Sequence, residues 1–238
     1  MSERRVADAL DGAPLDAIKI VAAASMVCDH LNDMAFHHRY LALWYAGRLA
    51  FPLFCLVLAL NLERGASATR YAAYLTPFAI VSQPIYKAAF HDGLDNVLIT
   101  LLLAIFVAEL MLRLPRWGQH VVFATGAAAS FAAPWTAIST GLCFGVAGLL
   151  LPSALTLILQ GRRDAAPWAL LLYVGLNWFP RDELFDSLFA PLVVLIAAAA
   201  ILALARRLAG RRRFLPRFAL YAFYPLHLLA LIGWRALA

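Results

Sequence analysis

Asp29 and His30 stand side by side inside the first long apolar stretch of the chain, Ile18 to Leu31. Ionisable side chains are costly in hydrocarbon, so such a pair marks a candidate site and calls for partners on other elements. Two stand out: Arg48, within Ala46-Gly47-Arg48-Leu49-Ala50-Phe51-Pro52, and His227, within Phe223-Tyr224-Pro225-Leu226-His227-Leu228. An imidazole oriented by a carboxylate is a general base, able to take the proton from an amine or hydroxyl as it attacks a carbonyl. Arg48 keeps its proton, which leaves it to pair with Asp29 or to bind an anion. Sequence neighbours point about 100° apart on a helix, so Asp29 and His30 cannot form a face-sharing dyad and must find partners on other helices.

The depths of these residues agree. At about 1.5 Å of rise per residue, His30 lies about 16 Å from Lys19, His227 about 15 Å from Arg217 and Arg48 about 12 Å from Tyr40, which puts all three near mid-membrane. Secondary polar residues, Gln83 in Ser82-Gln83-Pro84 together with Asn96 and Thr100, are candidates for contacting substrate. Pro52 and Pro84 are expected to break or kink their helices and free carbonyls that a cavity can use. Cys28, Cys55 and Cys143 are widely spaced within apolar segments. That spacing suits neither a disulfide framework nor a zinc site, and no metal is expected.

The elements that must carry these residues are membrane helices. With 238 residues, 63% hydrophobic and only 14% charged, and a mean hydropathy of +0.76, the chain reads as a polytopic membrane protein and a soluble domain is excluded. Nine apolar segments follow one another, roughly 15–34, 40–61, 71–89, 95–112, 119–133, 137–159, 166–179, 188–205 and 218–236, most near the ~20 residues that a spanning helix needs. The fifth and seventh are short, so the number of spans lies between eight and ten.

Charge supports the alternation. With the N-terminus inside, the cytoplasmic side collects Arg4, Arg5, Arg64, Arg70, Arg113, Arg116, Arg162, Arg163 and the group from Arg206 to Arg217, against Arg39, Lys87, Arg181 and Arg235 outside. Asp33, Asp92, Asp95, Asp182, Glu183 and Asp186 fall outside. This is the positive-inside pattern, with N-in and C-out. The longest connection, around 206–217, leaves no room for a soluble domain, so residues 1–238 form one integral-membrane unit. The polar opening, Met1 to Pro14, is expected to lead into a retained span, because the small-residue run Ala22-Ala23-Ala24-Ser25 comes too early in the first apolar segment to follow a full signal-peptide core. No repeat of 20–50 residues signals a solenoid or an inverted-repeat transporter.

A net charge of +6 and a pI near 9.5 are explained by topology, not by nucleic acid. One cluster exceeds that need. Arg206, Arg207, Arg211, Arg212, Arg213 and Arg217 can hold anionic lipid headgroups or the phosphates of a bound donor.

Five blocks carry a resemblance: Leu15-Asp16-Ala17-Ile18-Lys19-Ile20, Met26-Val27-Cys28-Asp29-His30, Gly47-Arg48-Leu49-Ala50-Phe51-Pro52-Leu53-Phe54, Ser82-Gln83-Pro84 and Phe223-Tyr224-Pro225-Leu226-His227-Leu228. In this order they resemble the TraX family, while 115–215 carries no recognisable motif. The resemblance implies a bacterial inner-membrane, multi-pass enzyme that acetylates the N-terminus of a conjugative pilin. It also implies kinship with membrane acyltransferases that draw on cytoplasmic acetyl-CoA. On that footing Asp29 pairs with Arg48, His30 is the base, and His227 either orients it or contacts the thioester; Arg211, Arg212 and Arg213 are the expected donor contacts. Transfer is either direct or through an acyl-histidine. The acceptor is a pilin-like protein or, equally compatible with the residues, a sugar or glycolipid. Two other classes fit the same residues: a transporter relaying protons through Asp29, His30 and His227, and a non-catalytic assembly factor for a pilus or secretion machine.

Overall fold

Prolines and glycines punctuate this chain where its helices begin and break. The computed structural model describes residues 4–90, 93–132, 141–177 and 184–237. The charges expected at Asp92, Arg181, Asp182 and Glu183, the 137–140 opening of the sixth apolar segment, and the side chains of Arg4, Arg5 and Asp186 lie outside the described residues. Every regular element among those described is helical: α1 (Arg4–Ala9), α2 (Ala13–Met34), α3 (Leu41–Gly47), α4 (Ala50–Glu63), α5 (Ala68–Ala89), α6 (Val97–Arg113), α7 (Arg116–Ala132), α8 (Gly145–Leu159), α9 (Ala166–Leu176), α10 (Leu184–Arg206) and α11 (Ala219–Leu237). A lone bridge joins Asp95 to Leu142. The expected all-α class is what the chain adopts. Three stretches among the described residues, Leu41–Glu63, Phe189–Arg206 and Ala219–Leu237, are long and apolar enough to cross a membrane.

Local chemistry sets the ends. Ser67 caps α5 by accepting the Arg70 amide, and the Asn96 side chain caps α6 by accepting the amides of Leu98 and Ile99; such caps satisfy donors that a helix start leaves orphaned. The second apolar segment is broken at Arg48 and Leu49, between α3 and α4. Pro52 supplies the reason: it has no amide to give the Arg48 carbonyl four residues back, and its ring crowds that carbonyl. At Pro84 the helix does not break: α5 runs on through both Pro77 and Pro84.

Six helices close a ring in the order α5, α6, α8, α4, α2, α11, with α11 packing back on α5. Buried alanines on α6 (Ala104, Ala108) and α8 (Ala147, Ala154) let the facing backbones approach. Helices α7 and α9 pack on the outer side of α8, and α10 packs on α2 and α3.

At one end of the ring the N-terminal segment clasps the 206–217 connection. Gly12 takes a left-handed φ of 74°, and the next amide, of Ala13, donates to the Arg211 carbonyl. A Cβ at Gly12 would lie 2.3 Å from that oxygen, so only glycine fits. The fully buried Asp16 accepts the amides of Phe214 and Leu215 at 2.9 Å each and pairs with Lys19 at 3.2 Å. Asp11 bridges Arg64 (3.2 Å) and Arg213 (2.9 Å). Chiefly through the Arg213 hydrogen bond, the Asp11 carboxyl is held below its ordinary range.

Candidate functional site

Four residues, two of them from one helix, meet where α2, α3, α4 and α11 converge. Asp29 and His30 lie on α2, Arg48 in the break between α3 and α4, and His227 in the middle of α11. Arg48 donates to Asp29 at 2.8 Å, and its guanidinium also lies 5.3 Å from the centre of the Trp44 ring. Gly47 makes the ion pair possible. A Cβ there would stand 2.5 Å from Asp29 Oδ1, so any larger residue would displace the carboxylate.

His30 Nδ1 and His227 Nε2 are 2.8 Å apart, and the two rings lie edge to edge and nearly coplanar. The protons in this pair are fixed from one end. His227 Nδ1 lies 3.1 Å from the Phe223 carbonyl, which can only accept. That nitrogen therefore carries the hydrogen, His227 Nε2 is the acceptor, and His30 Nδ1 must donate to it. The remaining His30 nitrogen, Nε2, is left with a lone pair, which is the state a general base needs. Phe223 stacks on a face of His227 and Phe90 packs on His30, which holds both rings in place.

A cavity of about 200 Å³ opens beside this group, lined by Asp29, His30 and Arg48. Its other walls include Tyr86, Cys143, Phe144, Asn177 and Tyr224. Tyr86 and Cys143 are hydrogen-bonding partners at 3.2 Å, and the Cys143 thiol donates to the Asp95 carbonyl. Asn177 is buried, with its amide donating to the Tyr173 carbonyl. Sequence reasoning missed Tyr86, Asn177 and Tyr224. The available signals were weak: an asparagine in the short seventh segment and a tyrosine one turn before His227.

The other expected residues lie elsewhere. Gln83 donates to Asp95 at 2.7 Å and accepts from the Asn96 amide and side chain; Asn96 also donates to the Ala79 carbonyl. This network braces α5 against the start of α6. Neither residue lines the cavity, nor does Thr100, which is fully buried near Gly148. Arg211 and Arg212 are exposed on the connection at the clasped end, while Arg213 is tied to Asp11 there. The structure thus gathers Asp29, His30, Arg48 and His227 and leaves Gln83, Asn96, Thr100, Arg211, Arg212 and Arg213 outside that cavity. No group of three metal-ligating side chains occurs among the described residues.

The five motif blocks that suggested a family lie on these same elements, and comparison with known proteins extends over nearly the whole chain. The family model for the TraX protein matches residues 14–235. The chain belongs to the TraX family. It is 34% identical to Protein TraX of Escherichia coli over 226 residues, covering 93% of this chain and 87% of that protein. To Protein TraX of Escherichia coli strain K12 it is 33% identical over 227 residues, with the same coverage of 93% and 87%. It is also 29% identical over 233 residues to the probable fimbrial assembly protein FimC, serogroup H1, of Dichelobacter nodosus, covering 89% of this chain and 91% of that one. No solved structure matches.

Proposed function

We propose that this TraX-family protein is an integral-membrane acetyltransferase of about nine spans, N-in and C-out, in a bacterial inner membrane. It moves acetyl from cytoplasmic acetyl-CoA to an acceptor amine or hydroxyl. The observation that carries the reading is the His227-His30 pair beside a cavity that His30 lines, with His30 Nδ1 engaged by His227 so that Nε2 keeps the lone pair a base needs. In the transfer, the acceptor nitrogen or oxygen attacks the thioester carbonyl while His30 Nε2 takes its proton. The C–S bond then breaks, and the thiolate leaves with the proton from His30. Arg48, held by Asp29, lines the same cavity and supplies positive charge for the developing oxyanion. His227 orients His30 and receives its Nδ1 hydrogen bond throughout. By relation to the family, the acceptor is the N-terminus of a pilin-like protein; a glycan hydroxyl meets the same chemical need.

Intact-mass analysis of surface proteins and glycans, with and without the chain, tests this. The expected result is a shift of one acetyl group on a single acceptor, lost in His30→Ala at normal protein level. An unshifted acceptor pool would end the proposal. A second reading, a non-catalytic assembly factor, is favoured by the name of the Dichelobacter nodosus relative. For that reading, His30→Ala lowers pilus assembly only in proportion to lost protein.

A further inference from the structure

A second and larger cavity, of about 630 Å³, lies within the same helical ring at the clasped end. We infer that it is the donor channel: it seats the pantetheine arm of an acyl-CoA, with the donor's phosphates held at its mouth by Arg70 and Arg217. This rests on the acyltransferase reading above and adds to it a binding site that uses none of the catalytic residues.

The mouth carries Lys19, Arg70, Arg213 and Arg217. Two of these are already engaged, Lys19 with Asp16 and Arg213 with Asp11. Among the described residues no carboxylate lies within ion-pair distance of Arg70 or Arg217. Arg217 is nevertheless not adrift, because its guanidinium lies 3.9 Å from the centre of the Tyr74 ring. Stacking on an aromatic face fixes the plane of the guanidinium and leaves its N–H edge for an anion, the geometry suited to phosphate. A fixed and an exposed cation at one rim therefore favour a ligand with more than one phosphate. Arg211 and Arg212, expected from the arginine cluster to contact the donor, are not in the wall of the cavity.

Behind the rim the lining changes character. Asn61 donates to the Tyr71 hydroxyl, which is hydrogen-bonded to Tyr221, and this polar group stands among Leu58, Leu75 and Leu101, a mixed lining that suits a slender chain of amide and methylene groups. At its inner end the channel shares Met26, Phe54, Val97 and Tyr224 with the walls of the smaller catalytic cavity. Along α2 the rise from Lys19 to His30 is about 16 Å, of the order of an extended pantetheine arm. A thioester seated this way reaches the smaller cavity between those four side chains, beside His30, while its phosphates stay at the mouth. An anionic phospholipid offers the same chemistry of phosphate and tail, so the test must separate the two.

The test measures binding of free CoA, which cannot acetylate, to the full-length chain in phosphatidylcholine nanodiscs by calorimetry. Arg70→Gln and Arg217→Gln should each weaken CoA about tenfold or more, and the affinity for pantetheine, which has no phosphate, should not change. Leu220→Trp, just inside the mouth, should weaken both ligands. His30→Ala should bind CoA normally. Unchanged CoA affinity in both arginine variants overturns the channel even where acetyl transfer is seen. Displacement of CoA by phosphatidylglycerol in the nanodisc overturns it in favour of a lipid site. If CoA binds as expected and no acetyl is ever transferred, the channel stands and the catalytic reading falls.

Discussion

At the scale of single residues, the direction of one hydrogen-bond chain, from His30 through His227 to the Phe223 carbonyl, decides which nitrogen can act. General-base catalysis is worth roughly 10²–10⁴-fold, so His30→Ala should lose at least that much turnover with normal protein level and near-normal CoA binding. His227→Gln, which keeps an acceptor for His30, should lose less than His227→Ala; equal losses would show that orientation is not what His227 contributes. Arg48→Lys should fare almost as badly as His30→Ala, because lysine lacks the planar fork. Removing either member of the Asp29-Arg48 pair should destabilise the protein by roughly 1.5–3 kcal/mol, and the double variant by less than the sum, as read from thermal unfolding. Away from the site, the Arg162 hydrogen bond pulls the Asp164 carboxyl down from 3.8 to about 2. Asp164 therefore stabilises the fold above its ordinary range and loses that effect as pH falls towards 2. Asp164→Asn should lower the unfolding temperature at neutral pH and make no difference at the acid end. The four central residues were legible in the sequence because an ionisable group in an apolar segment is conspicuous. Tyr86, Asn177 and Tyr224 were not, since tyrosine and asparagine are common at helix ends and interfaces and nothing local tells which way they face.

Elements were legible in number more than in detail. Each apolar segment contains helix among the described residues, but hydropathy could not show that Pro52 parts the second into α3 and α4 and leaves Arg48 in the gap. Nor could it show that Asn96 stands just before α6 as its cap, when the apolar segment included it; its polarity was visible and its duty was not. The docking of residues 11–16 against 206–217 was hidden as well, because the pairing depends on Asp11 and Asp16 meeting residues about 200 positions away. Two substitutions test these elements. Gly47→Ala should displace Asp29 and cost activity like Arg48→Lys, with the clasped end unaltered. Gly12→Ala should release the clasp instead, seen as faster protease cleavage between 206 and 217; cleavage at the wild-type rate would mean the clasp tolerates a Cβ.

For the whole molecule, the segment count and the charge alternation make a prediction about sides. A reporter fused after Ala238 should read as extracytoplasmic and one inserted near Gly210 as cytoplasmic, and a shared side for both would overturn the nine-span arrangement. Global arrangement was the least legible level: composition fixed the class, yet the closed ring of α5, α6, α8, α4, α2 and α11 follows from packing partners that no periodicity names. The ring encloses two cavities that approach each other end to end, with Met26, Phe54, Val97 and Tyr224 standing between. In a chain that spans a membrane, those four side chains are also electrical insulation. A continuous wet passage would let protons run down a potential worth about 2.3 kcal/mol per charge for each 100 mV. The thioester passes between these side chains to meet the acceptor beside His30, and their packing around it keeps a water-filled path from forming, so thinning them, with Met26→Ala and Phe54→Ala together, should turn the protein into a proton leak that a pH-sensitive dye in liposomes would report.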